Sequence, residues 1–366
     1  MKNKLYILLT LLCFIPTLVF AQNDKLSEEY QLNLYKAEVI DVSNEKVKDA
    51  TIQTIKIKIL NRDYKGYKTT IKNTLTNNGH DIKLNKRNKI SVHMEMNEEK
   101  PSFYFHSYDK SFSLLVLCII FTICILIFGG LKGLKALIAL ILTILLIFLL
   151  LIPLLLKGYS PILLSIVTCV LATIITFIIT NGFTKKTLTA ILGVSFGLLV
   201  GGIIAYLFGI FTKVSGVSTE NAQMLQYLPS GIIFDFKGLL FAGIIIGSLG
   251  ACMDVAMELT SSLIEIKTHH PKISDKKLIK SGFNIGKDIM GTMVNTLILA
   301  YTGGSLSTIL IFVGFNKSFS EVINLDSITI EIVRALSGSI GLLFAIPFTI
   351  FAFIFLNKRG SHEKNN

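Results

Sequence analysis

Acidic side chains interrupt two of the most apolar stretches of this 366-residue chain. In GACMDVAMELTSSLIEI, Asp254, Glu258, Ser261 and Glu265 follow one another at intervals of 4, 3 and 4. At roughly 100° per residue of α-helix, the four lie within about 60° of one another on one face. The next apolar stretch begins KDIMGTMVNTLILAYTGG, and the same arithmetic puts Asp288, Thr292, Asn295 and Thr302 on one face. A carboxylate in hydrocarbon costs several kcal/mol unless it is paired, protonated or wet, so it marks a pathway or a binding site by default. Aligned carboxylates, hydroxyls and an amide suit cation binding or proton carriage. No Walker A, HExxH or Ser/His/Asp arrangement supports an enzyme. Two Asp residues on adjacent spans leave intramembrane aspartyl hydrolysis as a third, weaker reading. It lacks a GxGD-type motif, and Asp288 is too shallow to share a proton with Asp254.

Depth separates these residues. Asp254 lies about 15 residues into its stretch, or roughly 22 Å, and Asn295 is about 10 Å in from Asp288. Glu265 and Asp288 fit the headgroup zone. The plain alternative for Asp254 and Asn295 is an interhelical hydrogen bond that fixes packing. Glu331 and Arg334, three apart near the start of the last stretch, read as a local ion pair or interfacial residues.

The elements that must position these groups are membrane helices. Hydrophobic residues make up 51% of the chain and charged residues 16%, against about 25% charged in an ordinary soluble domain. Seven apolar spans of near membrane-crossing length are predicted at 112–128, 134–155, 161–179, 188–211, 238–264, 289–313 and 328–356. Gly193, Gly197 and Gly201 form a tandem GxxxG in the fourth, and Gly243 and Gly247 another in the fifth. Ser337 and Gly341 keep the same spacing in the seventh. Small residues at that interval let helix backbones approach closely. Between the fifth and sixth spans, Ser274 is placed to cap a short basic helix that Gly282 would stop, with Gly286 permitting re-entry into the membrane.

Residues 1–21 read as a secretory signal, with Lys2 and Lys4, an apolar run from Leu5 to Phe20, and Val19 and Ala21 before a cleavage point at Gln22, the alternative being an uncleaved anchor. Residues 22–110 form an extracytoplasmic β-domain. Ile55, Ile57 and Ile59 alternate with lysines, and Ile90, Val92, Met94 and Met96 alternate with polar residues, the period of half-buried strands. Further strands are expected at Tyr35–Asp41 and Ser102–Phe105, with turns at Asn61–Gly66 and Asn77–Gly79. Five or six short strands predict a small OB-like or SH3-like barrel.

The net charge of +12 divides as +2 over residues 1–21, +3 over 22–110 and +7 over 111–366. Thirteen basic residues fall in the loops and tail assigned to the inside, four in those assigned outside. The basic balance therefore reports orientation, with the C-terminal tail of residues 358–366 cytoplasmic, and not nucleic-acid binding. The five cysteines all lie in apolar stretches without a CxxC, the adjacent His269 and His270 lack further ligands, and His80, His93 and His106 are scattered. No metal or cofactor is expected.

The stretches GSLGACMDVAMELTSSLIEIKTHHP, SGFNIGKDIMGTMVNTLILAY and GGSLSTILIF, together with KGYSPILLSI, NGFTKKTLTAILG and KILNRDYKGY, resemble the YibE/F-like family of bacterial multi-pass membrane proteins. Asp254, Ser261, Glu265, Gly282, Asn284, Gly286, Asp288, Gly291, Thr292, Asn295 and Tyr301 match that family's signature, whereas Glu258 departs from it. The resemblance implies a bacterial cytoplasmic membrane protein and no particular mechanism. Two main functions stand open. One is a permease or channel for an ion or small solute, with its path between the fifth and sixth helices. The other is an envelope scaffold or sensor whose β-domain binds a protein partner. The lipid bilayer is a partner in either case, and assembly as an oligomer is compatible with both.

Overall fold

The computed structural model describes residues 34–47, 50–76, 81–97, 100–217, 220–227 and 234–362. The expected signal, His80 and the Asn77–Gly79 turn lie outside them. The chain divides between Phe128 and Gly129 into two compact units.

The first unit is a five-stranded antiparallel sheet: β1 Leu34–Val47, β2 Ala50–Ile59, β3 Lys68–Leu75, β4 Lys89–Asn97 and β5 Lys100–Tyr108. The spatial order is β3-β2-β1-β4-β5. The register sets Val39 opposite Ile57, Ile55 opposite Ile71 and Ala37 opposite Ile90. The period-two pattern therefore delivers one apolar face, and Ile55, Ile57, Ile59, Ile90 and Val92 are fully buried. Arg62–Tyr64 forms a 3-10 turn within the predicted Asn61–Gly66 turn. The expected barrel is only half made. Among the described residues no strand pairing joins β3 to β5. Instead Tyr67, just before β3, meets Phe103 of β5 at 6.1 Å between ring centroids.

A buried amide closes the open side. Gln53 of β2 is wholly buried. Its Oε1 accepts from the backbone N–H of Leu84 at 2.9 Å, and its Nε2 donates to the Leu84 carbonyl at 3.2 Å. Asn73 of β3 donates both to Gln53 Oε1 (3.2 Å) and to the Ile82 carbonyl (2.8 Å). Two amide side chains thus hold the segment before β4, whose backbone groups have no ladder to join. At the far end, the Ser111 hydroxyl and backbone N–H, and then Lys36, hold the Asp109 carboxyl below the usual carboxylate range. That charge sits at the start of the first helix, where an anion is favoured.

Apart from short helical turns at Glu220–Met224 and Phe319–Ile323, the helices are α1 Ser111–Leu155, α2 Pro161–Asn181, α3 Lys185–Phe211, α4 Phe236–His269, α5 Asp275–Gly304, α6 Leu306–Gly314 and α7 Asp326–His362. Five of them are long and apolar enough to cross a membrane, and α5 with α6 forms a sixth span bent by 60°. The seven predicted spans differ from this at the start. The first two both fall on α1, which is kinked between them at Gly130 (φ 52°, ψ −133°).

The second unit is built on small residues. Gly193, Gly197 and Gly201 of α3 face α7: a β-carbon on Gly193 would meet Thr349, one on Gly197 would lie 2.8 Å from the Gly341 carbonyl, and one on Gly201 3.1 Å from Gly341 Cα. Gly243 instead faces open space. The expected stop at Gly282 does not occur. Ser274 holds the N-cap position without a side-chain hydrogen bond, and α5 runs through Gly282 and Gly286. Both glycines are packing positions, the first beside Ile350 and Leu263, the second against Ile346.

Two outcomes follow. A soluble fragment of residues 22–108 should melt cooperatively and indifferently to reductant, and Gln53→Leu should lower its stability by about 1–3 kcal/mol per orphaned group, read by urea titration. Gly197→Leu should abolish recovery of monodisperse protein in detergent, while Gly243→Leu should leave the elution profile unchanged.

Candidate functional site: polar helix faces and a broken helix

Asp254, Glu258 and Glu265 are exposed on α4, and Ser261 is half-buried, its hydroxyl donating to the Met257 carbonyl at 2.7 Å. The opposite side of α4, with Cys252, Val255, Leu259 and Leu263, is buried in the bundle core. Glu265 pairs with His269 at 2.8 Å, one turn on. On α5, Asp288, Thr292 and Asn295 are exposed, while Leu278, Gly282, Gly286 and Ile289 are buried. The Thr292 hydroxyl is turned back onto the Ile289 carbonyl at 2.9 Å. Both stripes are thus continuous and both point away from the core. Among the described residues no hydrogen bond joins one to the other. The sequence pattern shows which residues share a helix face, but not what that face meets.

The structure assembles a different polar cluster at the break between α5 and α6. The Ser305 N–H ends α5 on the Tyr301 and Thr302 carbonyls (3.1 and 3.2 Å), and its carbonyl starts α6 by accepting from Ile309 N at 3.0 Å. Beside the break, Arg334 Nη1 of α7 pairs with Glu331 Oε1 at 2.8 Å, as the i, i+3 spacing requires. The Arg334 guanidinium carbon stands 6.0 Å from the Tyr301 ring centroid. Gly247 of α4 lies against Tyr301: a β-carbon there would stand 2.5 Å from the phenol oxygen. Tyr301 Oη and Arg334 Nε are both buried without a hydrogen-bond partner. Such orphans are uncommon and mark strained or functional positions.

A cavity of about 360 Å³ opens on this cluster, lined by Gly304, Ser305 and Thr308 at the break, by Glu331 and Arg334, and by Leu239 and Leu240 of α4. A second, more apolar space of about 570 Å³ lies along Tyr301, Thr302, Ser305 and Glu331. Glu331 and Arg334 were legible as a pair. Their meeting with Tyr301, Gly247 and Ser305 was not, because those residues come from three helices and a break hidden inside one apolar run.

The Gly247–Tyr301 contact is open to test. Gly247→Ala alone should lower thermal stability, at the roughly 1–3 kcal/mol of overpacking. Tyr301→Phe should restore it, since the ring carbon that bore the hydroxyl would then be the nearest atom, at 3.5 Å. Equal melting of the single and double variants would refute the contact.

No curated protein and no solved structure matches the chain. The model described as YibE/F family N-terminal domain matches residues 32–108, the β unit, and the model described as YibE/F-like protein matches residues 117–359, from within α1 almost to the end of α7. Between them they span nearly the whole chain, which belongs to the YibE/F-like family.

Proposed function

We propose that this protein is a permease for a small solute, seated in the bacterial cytoplasmic membrane with its β unit outside and its C-terminus in the cytoplasm. One observation carries the reading. The span formed by α5 and α6 is broken beside an ion pair that lines a cavity. The break follows the 30 residues of α5, and Glu331 and Arg334 lie in the first turns of α7, so in this topology the cavity sits at the outer end of the bundle; broken helices build the substrate sites of many carriers. The pair is half-buried, its side chains 29% and 27% exposed, which leaves its charged groups open to the cavity.

Gly247, Asp254, Glu258, Ser261 and Glu265 share one face of α4, which leads from Tyr301 towards the basic loop. In this reading that face is the lower wall of the route, and Asp254 is its ionisable group. The exposed face of α5, with Asp288, Thr292 and Asn295, lines water on the same route or is covered by a second copy of the chain.

Purified protein in proteoliposomes should pass one or more members of a panel of ions, amino acids, polyols and sugars. Asp254→Asn keeps the shape and hydrogen bonds of the side chain but cannot ionise. It should fold normally and reduce flux to background. Cysteine at 254 and 258 should react with a small water-soluble thiol reagent. A panel without any flux, with capture of an envelope protein by the β unit, would instead make this chain a scaffold.

A further inference from the structure

We propose that the cavity at the α5–α6 break is a binding site for a small zwitterion bearing an apolar side chain, of the size and chemistry of an aliphatic α-amino acid. The proposal rests on the permease reading for its role and on the cavity itself for its chemistry.

The wall charges come as one pair, Glu331 with Arg334 at 2.8 Å. A simple anion reaching Arg334 would meet the Glu331 carboxylate beside it, and a simple cation reaching Glu331 would meet the guanidinium. Either would also leave the half-buried pair with a net charge. A zwitterion avoids both penalties, because the site is neutral before and after it binds. Its carboxylate has the planar acceptor geometry that the guanidinium fork matches. Arg334 still has donors to give, since only Nη1 is engaged with Glu331, leaving Nη2. On Glu331, Oε1 carries the bond to Arg334, which leaves Oε2 to receive an ammonium group.

The rest of the lining fits the rest of such a molecule. Ser305 and Thr308 put hydroxyls on the broken-helix wall, and Leu239, Leu240 and Ile330 supply an apolar wall. The volume of about 360 Å³ is at the small end of ligand sites, roughly 300–1,000 Å³. It has room for a single amino acid.

The test is equilibrium binding of radiolabelled L-leucine to the full-length protein in detergent. The competitors are 4-methylpentanoate, which is leucine without the amine, and 3-methylbutylamine, which is leucine without the carboxylate. Saturable leucine binding that neither half-molecule displaces is the expected result. Arg334→Gln and Glu331→Gln should each weaken it by at least about tenfold, or about 1.4 kcal/mol. Either may disturb folding, so Thr308→Phe fills the cavity from the opposite wall without touching the pair. It should lose leucine binding while keeping the wild-type melting temperature. Absence of saturable binding to the wild type, displacement by either half-molecule, or wild-type affinity in a folded Arg334→Gln or Thr308→Phe protein overturns the proposal. Flux of other solutes without leucine binding would overturn it and leave the permease reading standing. Leucine binding without any flux would support the site and remove the permease.

Discussion

The close approach of α3 to α7 is the contact on which the helical unit depends. Between helices in lipid there is little hydrophobic gain to collect, so contact must come from packing. Gly193, Gly197 and Gly201 lay bare one face of α3, and Thr349, Ala345, Gly341 and Ser337 of α7 fill it in antiparallel order. With α7 held there, its other faces are set. Gly338 touches Leu297 of α5 and Ser248 of α4, while Ile346 and Ile350 receive the glycines of α5. Arg334 and Glu331 lie one turn and two turns before Gly338, so the α3–α7 contact also fixes where the ion pair meets the broken helix.

Polar satisfaction then divides the membrane helices into two populations. Most hydroxyls inside them are quiet: Thr173, Thr189, Thr260, Ser339 and Thr349 each donate to the carbonyl one turn back. Such a group needs no partner from another helix and can sit in a core at little cost. Tyr301 Oη and Arg334 Nε are the contrast, buried without a hydrogen-bond partner as Thr168 Oγ1 of α2 also is, but the two of them lie together at one place. The cost of that orphaning is what makes the α5–α6 break a stronger site candidate than the carboxylate stripes. Those stripes are exposed on the single chain and need no partner within it.

The β unit shows the same economy outside the helices. Its apolar face was legible from alternation alone, because a period of two leaves a strand only one way to bury isoleucines such as Ile55 and Ile57. The clamp made by Gln53 and Asn73 was not. A glutamine in the run Thr-Ile-Gln-Thr-Ile looks like any solvated strand residue, and only the fold brings the backbone of Ile82 and Leu84 to the amides of Asn73 and Gln53.

By itself the sequence determined the membrane class, the positions of most helices and the existence of a β unit, because length, hydropathy and alternation are properties of one segment at a time. It also identified the glycines able to support close packing and the residues sharing each polar face, since both depend only on helical spacing. What tertiary structure decided was every statement about what a face meets. It put Gly193, Gly197 and Gly201 at a helix contact and left Gly243 open. It turned Asp254 and Asn295 away from the core, and it carried α5 unbroken through Gly282 to break at Gly304–Ser305 instead. A helix repeats every 3.6 residues whatever surrounds it, so periodicity describes the helix; its rotation about its own axis is set by neighbours that lie tens of residues away in the chain.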